Sequence, residues 1–365
     1  MGKIELDHTG SGSGITLSSD GTDLLLDGTA IGGGGGSALE LYAESTGTFT
    51  APTANTGGAY NSVAIGNGAD IGNGRGESIA IGTNSFCNQS QAIALGHGAT
   101  TSGFAAVTLG RNATATSNYA TAIGPSYASG TDSLAAAIAS NSSSYGASGT
   151  NGIAIGKNAK ATSHQSVCIS NTSTASAQNA VVIGGSSGTA SANSSVVLGG
   201  SSNTASGLYS TAKGYYGNTN GIRLKHSTGL YPNMQGAYYV LGYTTSDATP
   251  IALNTSVWTP DATNQIVLSN NSALSFHGTV IARQQAADGT ACAAWKVEGL
   301  IRREGSASTT TLVNSATTVL DNTPSWGLAL SADTTNGCLK VQATGAAATD
   351  IRWVATIHTS EVTYA

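Results

Sequence analysis

The chain carries very little charge. Only 9% of its 365 residues are Asp, Glu, Lys or Arg, and the formal net charge is −5, whereas charged residues make up roughly 25% of an average soluble domain. A balance this small and negative excludes the basic surface on which nucleic-acid binding depends. Disorder usually accompanies high net charge and low hydrophobicity, but 39% of these residues are apolar. We therefore expect an ordered protein without a nucleic-acid partner.

Cysteines and long apolar runs are scarce as well. The four cysteines, Cys87, Cys168, Cys292 and Cys338, have neither metal-ligand spacing nor the density of a disulfide framework, so we expect no metal and no cofactor. No window approaches the roughly 18 apolar residues of a membrane-spanning helix. The N-terminus lacks the basic start and apolar core of a signal peptide. These absences predict a chain that folds in a cytoplasm and does not insert into a membrane.

Acidic residues are missing where a catalytic pair would be needed. Glu77 and Asp132 are the only carboxylates between Asp70 and Asp247, and hydrolysis of a glycosidic bond requires two of them across the bond. The six histidines are scattered singly along the sequence. We expect no catalytic residue and no enzymatic activity, with a carboxylate pair formed between subunits as the open alternative.

The middle of the chain contains a repeat. A five-residue pattern (small residue, β-branched residue, small residue, Ile or Leu, Gly) returns every 14 to 17 residues. Clear copies are residues 62–66 and 78–82, and a weak copy is assigned to residues 135–139. Such regular spacing indicates a solenoid. The fifth positions of the eleven copies are residues 66, 82, 96, 110, 124, 139, 156, 170, 184, 199 and 214.

Each copy has the alternation of a short strand. Large and small side chains alternate at period two, which gives the strand one bulky face and one alanine face. The final Gly suits a turn with positive φ or a close approach of two backbones. A second extended piece, such as residues 113–117, closes each coil of a β-roll. We assign the bulky residues to the core of the repeat: Val63, Ile65, Ile79, Ile81, Ile93, Leu95, Val107, Leu109, Ile153, Ile155, Val167, Ile169, Val181, Ile183, Val196 and Leu198.

One such coil has a small core. Burial of two large aliphatic side chains contributes roughly 3–6 kcal/mol, whereas ordering some fourteen residues costs on the order of 14–28 kcal/mol of backbone entropy. Hydrogen bonds between rungs and buried alanines reduce this difference. We therefore expect several chains to associate side by side.

Composition divides the chain into five parts. Residues 1–31 carry short apolar runs that predict two or three strands, and residues 32–58 are a Gly-rich linker and transition. The repeats fill residues 59–214. Residues 215–245 are an aromatic-rich neck, whose tyrosines either wedge the junction or stack on sugar rings. Residues 246–365 have the strand and turn pattern of a β-sandwich.

The C-terminal part is expected to hold the compact core of the chain. All four tryptophans lie there, and the dipeptides Asp288-Gly289 and Asn336-Gly337 predict hairpins. The predicted strands are residues 265–268, 274–283, 292–302, 310–313, 326–331, 338–343 and 351–357.

The repeat resembles a known family. The run Asn61-Ser-Val-Ala-Ile-Gly and its copies resemble the head repeats of trimeric autotransporter adhesins of the YadA kind, over residues 59–214. The resemblance implies an all-β protein: a left-handed parallel β-roll shaft in a homotrimer, followed here by the C-terminal β-sandwich. The sequence departs from those adhesins because it carries no secretion signal, coiled-coil stalk or membrane-anchor barrel.

Both ends of the chain resemble bacteriophage proteins. The stretch from Phe276 through Trp326 to Ile351 and the residues after it looks like a domain of phage tail fibres and virion appendages, and the run that begins at Ile15 looks like segments of phage structural proteins. This implies a virion protein made in the host cytoplasm. Residues 1–31 would then attach to other virion proteins, and the C-terminal domain would face the host.

Three functions follow from these resemblances. The preferred one is a homotrimeric tail fibre that binds a host-surface glycan or protein without catalysis. The alternatives are a tailspike-type polysaccharide depolymerase and a capsid-bound decorating fibre. Candidate receptor-binding residues, chosen for aromatic side chains and position, are Tyr231, Tyr238, Tyr239 and Trp258.

Overall fold

The computed structural model describes residues 60–136, 144–286 and 290–364, together with four short strands before residue 31. The predicted linker at residues 32–58 lies outside the described residues, as does the predicted hairpin dipeptide Asp288-Gly289. The N-terminal strands form an antiparallel sheet in chain order, so there are four where two or three were predicted: β1 (Ile4–Leu6), β2 (Ile15–Ser19), β3 (Leu24–Leu26) and β4 (Thr29–Ala30).

The repeats form a β-solenoid built from two parallel sheets, as predicted. Each of the first ten repeats gives a strand of three to six residues to the first sheet and one of two residues to the second, and the eleventh gives a strand to the first sheet only. The first sheet runs in the order β5 (Val63–Ile65), β7 (Ile79–Ile81), β9 (Ile93–Leu95), β11 (Val107–Leu109), β13 (Thr121–Ile123), β15 (Leu134–Ala136), β17 (Ile153–Ile155), β19 (Val167–Asn171), β21 (Val181–Ser186), β23 (Val196–Ser201) and β25 (Thr211–Tyr215). The second runs in the order β6 (Asp70–Ile71), β8 (Phe86–Cys87), β10 (Thr100–Thr101), β12 (Thr114–Ala115), β14 (Tyr127–Ala128), β16 (Gly146–Ala147), β18 (Lys160–Ala161), β20 (Thr174–Ala175), β22 (Thr189–Ala190) and β24 (Thr204–Ala205).

The interior of the coil is a double column of small side chains. Strands of neighbouring coils pair in register, so Ala64 stacks on Ala80 and equivalent residues form columns. The first sheet buries the central residue of each strand: Ala64, Ala80, Ala94, Thr108, Ala122, Ala135, Ala154, Cys168, Val182, Val197 and Ala212. The second sheet buries its second residue: Ile71, Cys87, Thr101, Ala115, Ala128, Ala147, Ala161, Ala175, Ala190 and Ala205.

The large residues of the repeat face outward, which corrects the sequence analysis. In β7, Ile79 and Ile81 lie on the face opposite to the buried Ala80. The side chains of Leu109 and Leu198 are both 48% exposed. Period-two alternation separates two faces but does not say which one points inward, and two closely packed sheets leave room mainly for alanine. We call the outward columns the aliphatic stripe: Val63, Ile65, Ile79, Ile81, Ile93, Leu95, Val107, Leu109, Ile153, Ile155, Val167, Ile169, Val181, Ile183, Val196 and Leu198.

The sixth copy has a different register from the one predicted. The sequence analysis assigned it to residues 135–139, but β15 begins at Leu134 and pairs Ala135 with Ala122 of the preceding coil. This register keeps alanine in the inner column and directs Leu134 outward. Residues 137–143, which follow this strand, lie outside the described residues.

The glycine that ends a repeat lies where two rungs approach closely. Gly82 has a φ of +127°, and a Cβ atom at this position would lie 2.6 Å from the carbonyl carbon and oxygen of Gly96 in the next rung. Such a distance is far below van der Waals contact. Both physical reasons given for the glycine, positive φ and close backbone approach, are confirmed here.

A β-sandwich follows the solenoid, also as predicted. Its larger sheet is antiparallel, in the order β26-β27-β35-β30-β31-β32, and a smaller sheet is centred on β34. The 3-10 helix η1 (Ala307–Thr309) lies between β31 and β32. The strands are β26 (His226–Tyr231), β27 (Met234–Thr245), β28 (Ile251–Ala252), β29 (Ile266–Val267), β30 (Ser272–Gln284), β31 (Cys292–Arg303), β32 (Thr311–Asp321), β33 (Gly327–Asp333), β34 (Cys338–Thr344) and β35 (Ile351–Thr363).

Three of the four tryptophans lie in the core between these sheets. The indole of Trp353 stacks on Trp295 with ring centroids 5.6 Å apart, and it lies 6.0 Å from Trp326. Its Nε1 donates a hydrogen bond to Thr245 Oγ1 at 3.0 Å. Trp258 is the exception, because its side chain is 73% exposed. The core therefore confirms the predicted position of the compact domain but not the burial of every tryptophan.

The region predicted to be a neck belongs to the sandwich. β27 pairs along its whole length with β35, from Met234 opposite Val362 to Thr245 opposite Ile351. β26 continues the solenoid, because it pairs in parallel with β25 and in antiparallel orientation with β27. One sheet therefore runs from the first repeat into the C-terminal domain, and the predicted boundary at residue 246 is wrong.

A buried ion pair fastens the last coil to the C-terminal strand. Lys225 is fully buried, and its Nζ donates to Glu361 Oε2 at 2.7 Å. Glu361 also accepts hydrogen bonds from Gln235 Nε2, Tyr239 OH and Thr359 Oγ1. Burial lowers the pKa of Lys225, and the Glu361 carboxylate opposes that shift. The charge is tolerated because the carboxylate is close and well hydrogen-bonded.

We expect that a larger side chain in the inner column destabilises the coil. Ala122 is fully buried, so Ala122→Leu overpacks the coil and lowers the free energy of unfolding by about 1–3 kcal/mol. The matched control is Thr121→Leu, one residue away on the outer face, where the paired strands carry Val107 and Leu134. Chemical denaturation of both variants measures the difference. Equal stability of the two would contradict the assignment of inner and outer faces.

We expect the Lys225–Glu361 pair to behave as a unit. Lys225→Met or Glu361→Gln alone leaves one partner buried without the other, which costs about 3–5 kcal/mol. The double variant removes both charges and should lose much less than the sum of the single losses. A double-mutant cycle by chemical denaturation measures the coupling, and strictly additive losses would refute it.

We expect one reactive thiol in the native chain. Burial raises the pKa of Cys87 and of Cys338 to about 12 and also raises the pKa of Cys168, whereas Cys292 is exposed. The thiolate is the reactive form. A chromogenic disulfide reagent at neutral pH should therefore modify Cys292 alone until the protein is unfolded, when all four thiols react. Modification of two or more thiols in the folded protein would contradict this burial.

Candidate binding site

The four aromatic candidates from the sequence differ in accessibility. Trp258 and Tyr231 are 73% and 58% exposed, and Tyr238 is half-buried. Tyr239 is completely buried, and its hydroxyl donates to Glu361 Oε1 at 3.0 Å. Neighbouring residues of a strand face opposite sides, so Tyr238 and Tyr239 cannot share a surface. The prediction that Tyr239 contacts a receptor is therefore wrong.

Tyr231 belongs to an aromatic cluster at the end of the solenoid. Its ring lies 6.2 Å from that of Tyr215, which in turn lies 4.6 Å from Tyr216. The adjacent Tyr216 phenol raises the pKa of Tyr215 by charge repulsion. A polar groove of about 310 Å³ lies beside Tyr216 and is lined by amide side chains that include Asn218 and Gln235. These tyrosines therefore lie at the junction between the solenoid and the sandwich.

Tyr238 lies in a row of rings on the outer face of the large sheet. Its ring centroid is 5.0 Å from that of His358 and 6.0 Å from that of His226, and His358 stacks on His277 at 5.4 Å. The sequence analysis described the histidines as scattered singly. Four neighbouring strands bring them into one row, in which Tyr238 lies between His226 and His358. Their separation along the chain left no local signal by which this row could have been found.

Trp258 lies in a groove between the solenoid and the loop that joins β28 to β29. The groove has a volume of about 530 Å³. The solenoid contributes the turns around Leu208 and Arg223, and the loop contributes Trp258, Asp261 and several hydroxyl groups. The lining residues are Ala192, Ser206, Leu208, Gly221, Arg223, Ser256, Trp258, Thr259, Asp261, Thr263 and Asn264, and none of them belongs to the aliphatic stripe.

The loop that carries Trp258 is held by side-chain hydrogen bonds. Asn254 Nδ2 donates to the carbonyl oxygen of Trp258 at 2.7 Å. Asn264 Nδ2 donates to Ser256 Oγ and to the carbonyl oxygen of Thr259, both at 2.9 Å. Both asparagines are buried. The exposed indole is therefore presented by a fixed backbone.

The described part of the chain contains no evident metal-binding cluster. No group of three or more His, Cys, Asp or Glu residues there could hold a metal ion. Among the same residues, no helix has the length and apolar character needed to cross a membrane. The grooves and aromatic surfaces are thus the features of these residues that suit binding.

Comparison with known proteins agrees with the solenoid. No curated protein sequence matches the chain. The chain is similar to a crystal structure of the tailspike protein gp49 from Acinetobacter baumannii bacteriophage Fri1, a capsular polysaccharide depolymerase, with 9% sequence identity and a TM-score of 0.22. That alignment covers 85% of this chain and 70% of the tailspike chain. Residues 77–99, 102–126 and 147–167 match the YadA head domain repeat, so the shaft contains repeats of this kind.

Proposed function

We propose that this chain is the subunit of a phage tail fibre that assembles as a homotrimer. The solenoid is its shaft, and the C-terminal sandwich projects toward the host surface for adsorption. Residues 1–31 attach the fibre to other virion proteins. The role is structural and binding, without catalysis, and the chain is synthesised in the host cytoplasm before it joins the virion.

The aliphatic stripe is the observation that carries this proposal. Its residues at the fourth position of the repeat, such as Ile183 and Leu198, are 46% and 48% exposed in the single chain. An apolar surface of this kind, interrupted at β13 and β15 by Thr121 and Ala136, marks an interaction site. The stripe extends for about 43 Å, because the ten rungs from β5 to β23 are separated by about 4.8 Å each. Identical chains in parallel register can cover it along its whole length, and three is the number that the head-repeat resemblance implies.

The outer face of the C-terminal sheet supports the same interface. The sheet is continuous with the shaft, and its outer face exposes Ile281, Val354 and Val362 at 42% to 56%. The edge strand of this sheet, β32, is exposed along almost its whole length, including Val319 and Leu320. A long exposed edge strand with apolar side chains is a template for pairing with another chain. A second and a third copy of the chain would cover both surfaces.

The shaft suits a spacer better than an enzyme. Its outward columns are mainly aliphatic on the first sheet, whereas threonine takes five of the ten outward positions on the second sheet, and carboxylates are nearly absent from the shaft. Parallel pairing of equivalent residues stacks one rung on the next. Such a stack separates its two ends by a fixed distance, which is what adsorption through a C-terminal domain requires.

Mass in solution tests the assembly. We expect the purified chain to have three times its monomer mass of 36.1 kDa. The double variant Ile183→Asp/Leu198→Asp places two carboxylates on the stripe and should dissociate the trimer, because like charges would be buried in the interface. Multi-angle light scattering measures both masses.

The matched control places the same charges on the second sheet. Thr174 and Thr189 are outward-facing residues of neighbouring rungs there, so Thr174→Asp/Thr189→Asp should stay trimeric. A wild-type monomer of 36.1 kDa would refute the assembly. Trimeric stripe variants would show that another surface forms it. Competition by purified wild-type protein for phage adsorption to host cells tests the binding role, and unchanged adsorption would contradict it.

A further inference from the structure

We propose that the groove beside Trp258 binds an acidic saccharide, with a sugar ring on the indole and an anionic substituent on Arg223. The proposal rests on the proposed function, since it names the class of host-surface molecule that the C-terminal domain would meet. Three independent features of the groove support it: a strained loop that presents the indole, a guanidinium that lacks an anionic partner, and hydroxyl groups along the rim.

The loop has a strained backbone conformation at its exposed apolar tip. Val257 has a φ of +56°, in the left-handed region that β-branched residues rarely adopt. Its side chain is 58% exposed, and the adjacent Trp258 is 73% exposed. Neither exposure improves the packing of the single chain. Strain that persists in a well-tied loop is typical of binding sites, where the surrounding hydrogen bonds hold a geometry that the backbone alone would avoid.

The strain is opposed by the two buried asparagines. Asn254 holds the carbonyl group of Trp258, and Asn264 holds the carbonyl group of Thr259. The backbone N–H of Thr255 also donates to the carbonyl oxygen of Asn264 at 2.7 Å. Trp258 therefore has a fixed main chain on both sides. A rigid, exposed indole is a suitable platform for the apolar face of a pyranose ring, because little entropy is lost when the sugar binds.

Arg223 provides the charge in the groove. Its guanidinium lies over the ring of Tyr209, with Cζ 4.9 Å from the ring centroid. Its Nε is buried and has no hydrogen-bond partner among the described residues. No carboxylate of the described residues forms an ion pair with it. A planar guanidinium that is oriented by a ring, lines the groove and forms no ion pair among the described residues is suited to a carboxylate or another planar anion of a ligand.

Asp261 is the acidic residue of the groove, and its charge is partly engaged. Its Oδ1 accepts hydrogen bonds from the backbone N–H and the Oγ1 of Thr263, at 2.6 and 2.7 Å. A carboxylate so occupied repels an anionic ligand less than a free one would, and its other oxygen can accept from a sugar hydroxyl. Ser206 and Thr259 add further hydroxyl groups to the rim. Stacking, charge and hydroxyl contacts thus converge on one groove.

A polysaccharide array followed by calorimetry tests the proposal. We expect the wild-type protein to bind at least one acidic bacterial capsular or lipopolysaccharide glycan on the array. In titration calorimetry, carboxyl reduction of that glycan should weaken binding at least tenfold. Trp258→Ala should weaken binding of both forms at least tenfold. Arg223→Gln should weaken binding of the acidic form to the level of the reduced form, and Arg223→Lys should restore part of the difference.

The control variant is Tyr119→Ala, which removes an aromatic ring that is 53% exposed on the shaft. It should bind as the wild type does. Absence of binding to every acidic glycan, or equal binding by Trp258→Ala and wild type, would overturn the proposal. Light scattering on each variant separates this failure from failure of the proposed fibre. If the protein is trimeric and competes for adsorption, but Trp258→Ala does not weaken glycan binding, the proposed function stands and the groove proposal fails. If the protein is a monomer, the proposed fibre itself is refuted.

Discussion

The narrow interior of the coil is the constraint on which the rest of the structure depends. Two parallel sheets pack so closely that their facing columns are almost entirely Ala, Thr, Cys and Val. Alanine buries little apolar surface, so a single coil gains little hydrophobic free energy from its own interior. The large aliphatic residues are placed on the outside instead. In the proposed trimer, identical chains stabilise one another by covering that outer face, so association would be part of folding.

The first sheet of the solenoid continues into the C-terminal domain. β26 adds to the last rung of the shaft and then pairs with β27, so the shaft and the sandwich share one hydrogen-bonded sheet. Ile222 of the last coil is part of the sandwich core, and Lys225 is paired with Glu361. The two parts are therefore joined by backbone, apolar and charged contacts. A flexible hinge at this junction would require all three to open.

The sequence alone predicted most strands of the repeat and of the C-terminal domain, but it did not predict which face of a strand points inward. The repeat, the closing strands and seven C-terminal strands follow from local alternation and turn residues, which are properties of neighbouring residues. The inward face was assigned wrongly because the alternation of Ile79, Ala80 and Ile81 is equally compatible with either face pointing inward. Tyr239 was chosen for its aromatic side chain, and its burial was missed because it depends on the long-range pairing of β27 with β35. The groove at Trp258 was found only in part, since Arg223 reaches it from another segment.

The central claim is that the aliphatic stripe is buried between identical chains. An electron cryomicroscopy reconstruction of the purified fibre tests this directly, because it locates the outward residues relative to the symmetry axis. The account predicts threefold symmetry, with Leu109, Ile183 and Leu198 of each chain within about 4.5 Å of apolar atoms of another chain. A reconstruction in which these side chains face solvent would contradict it.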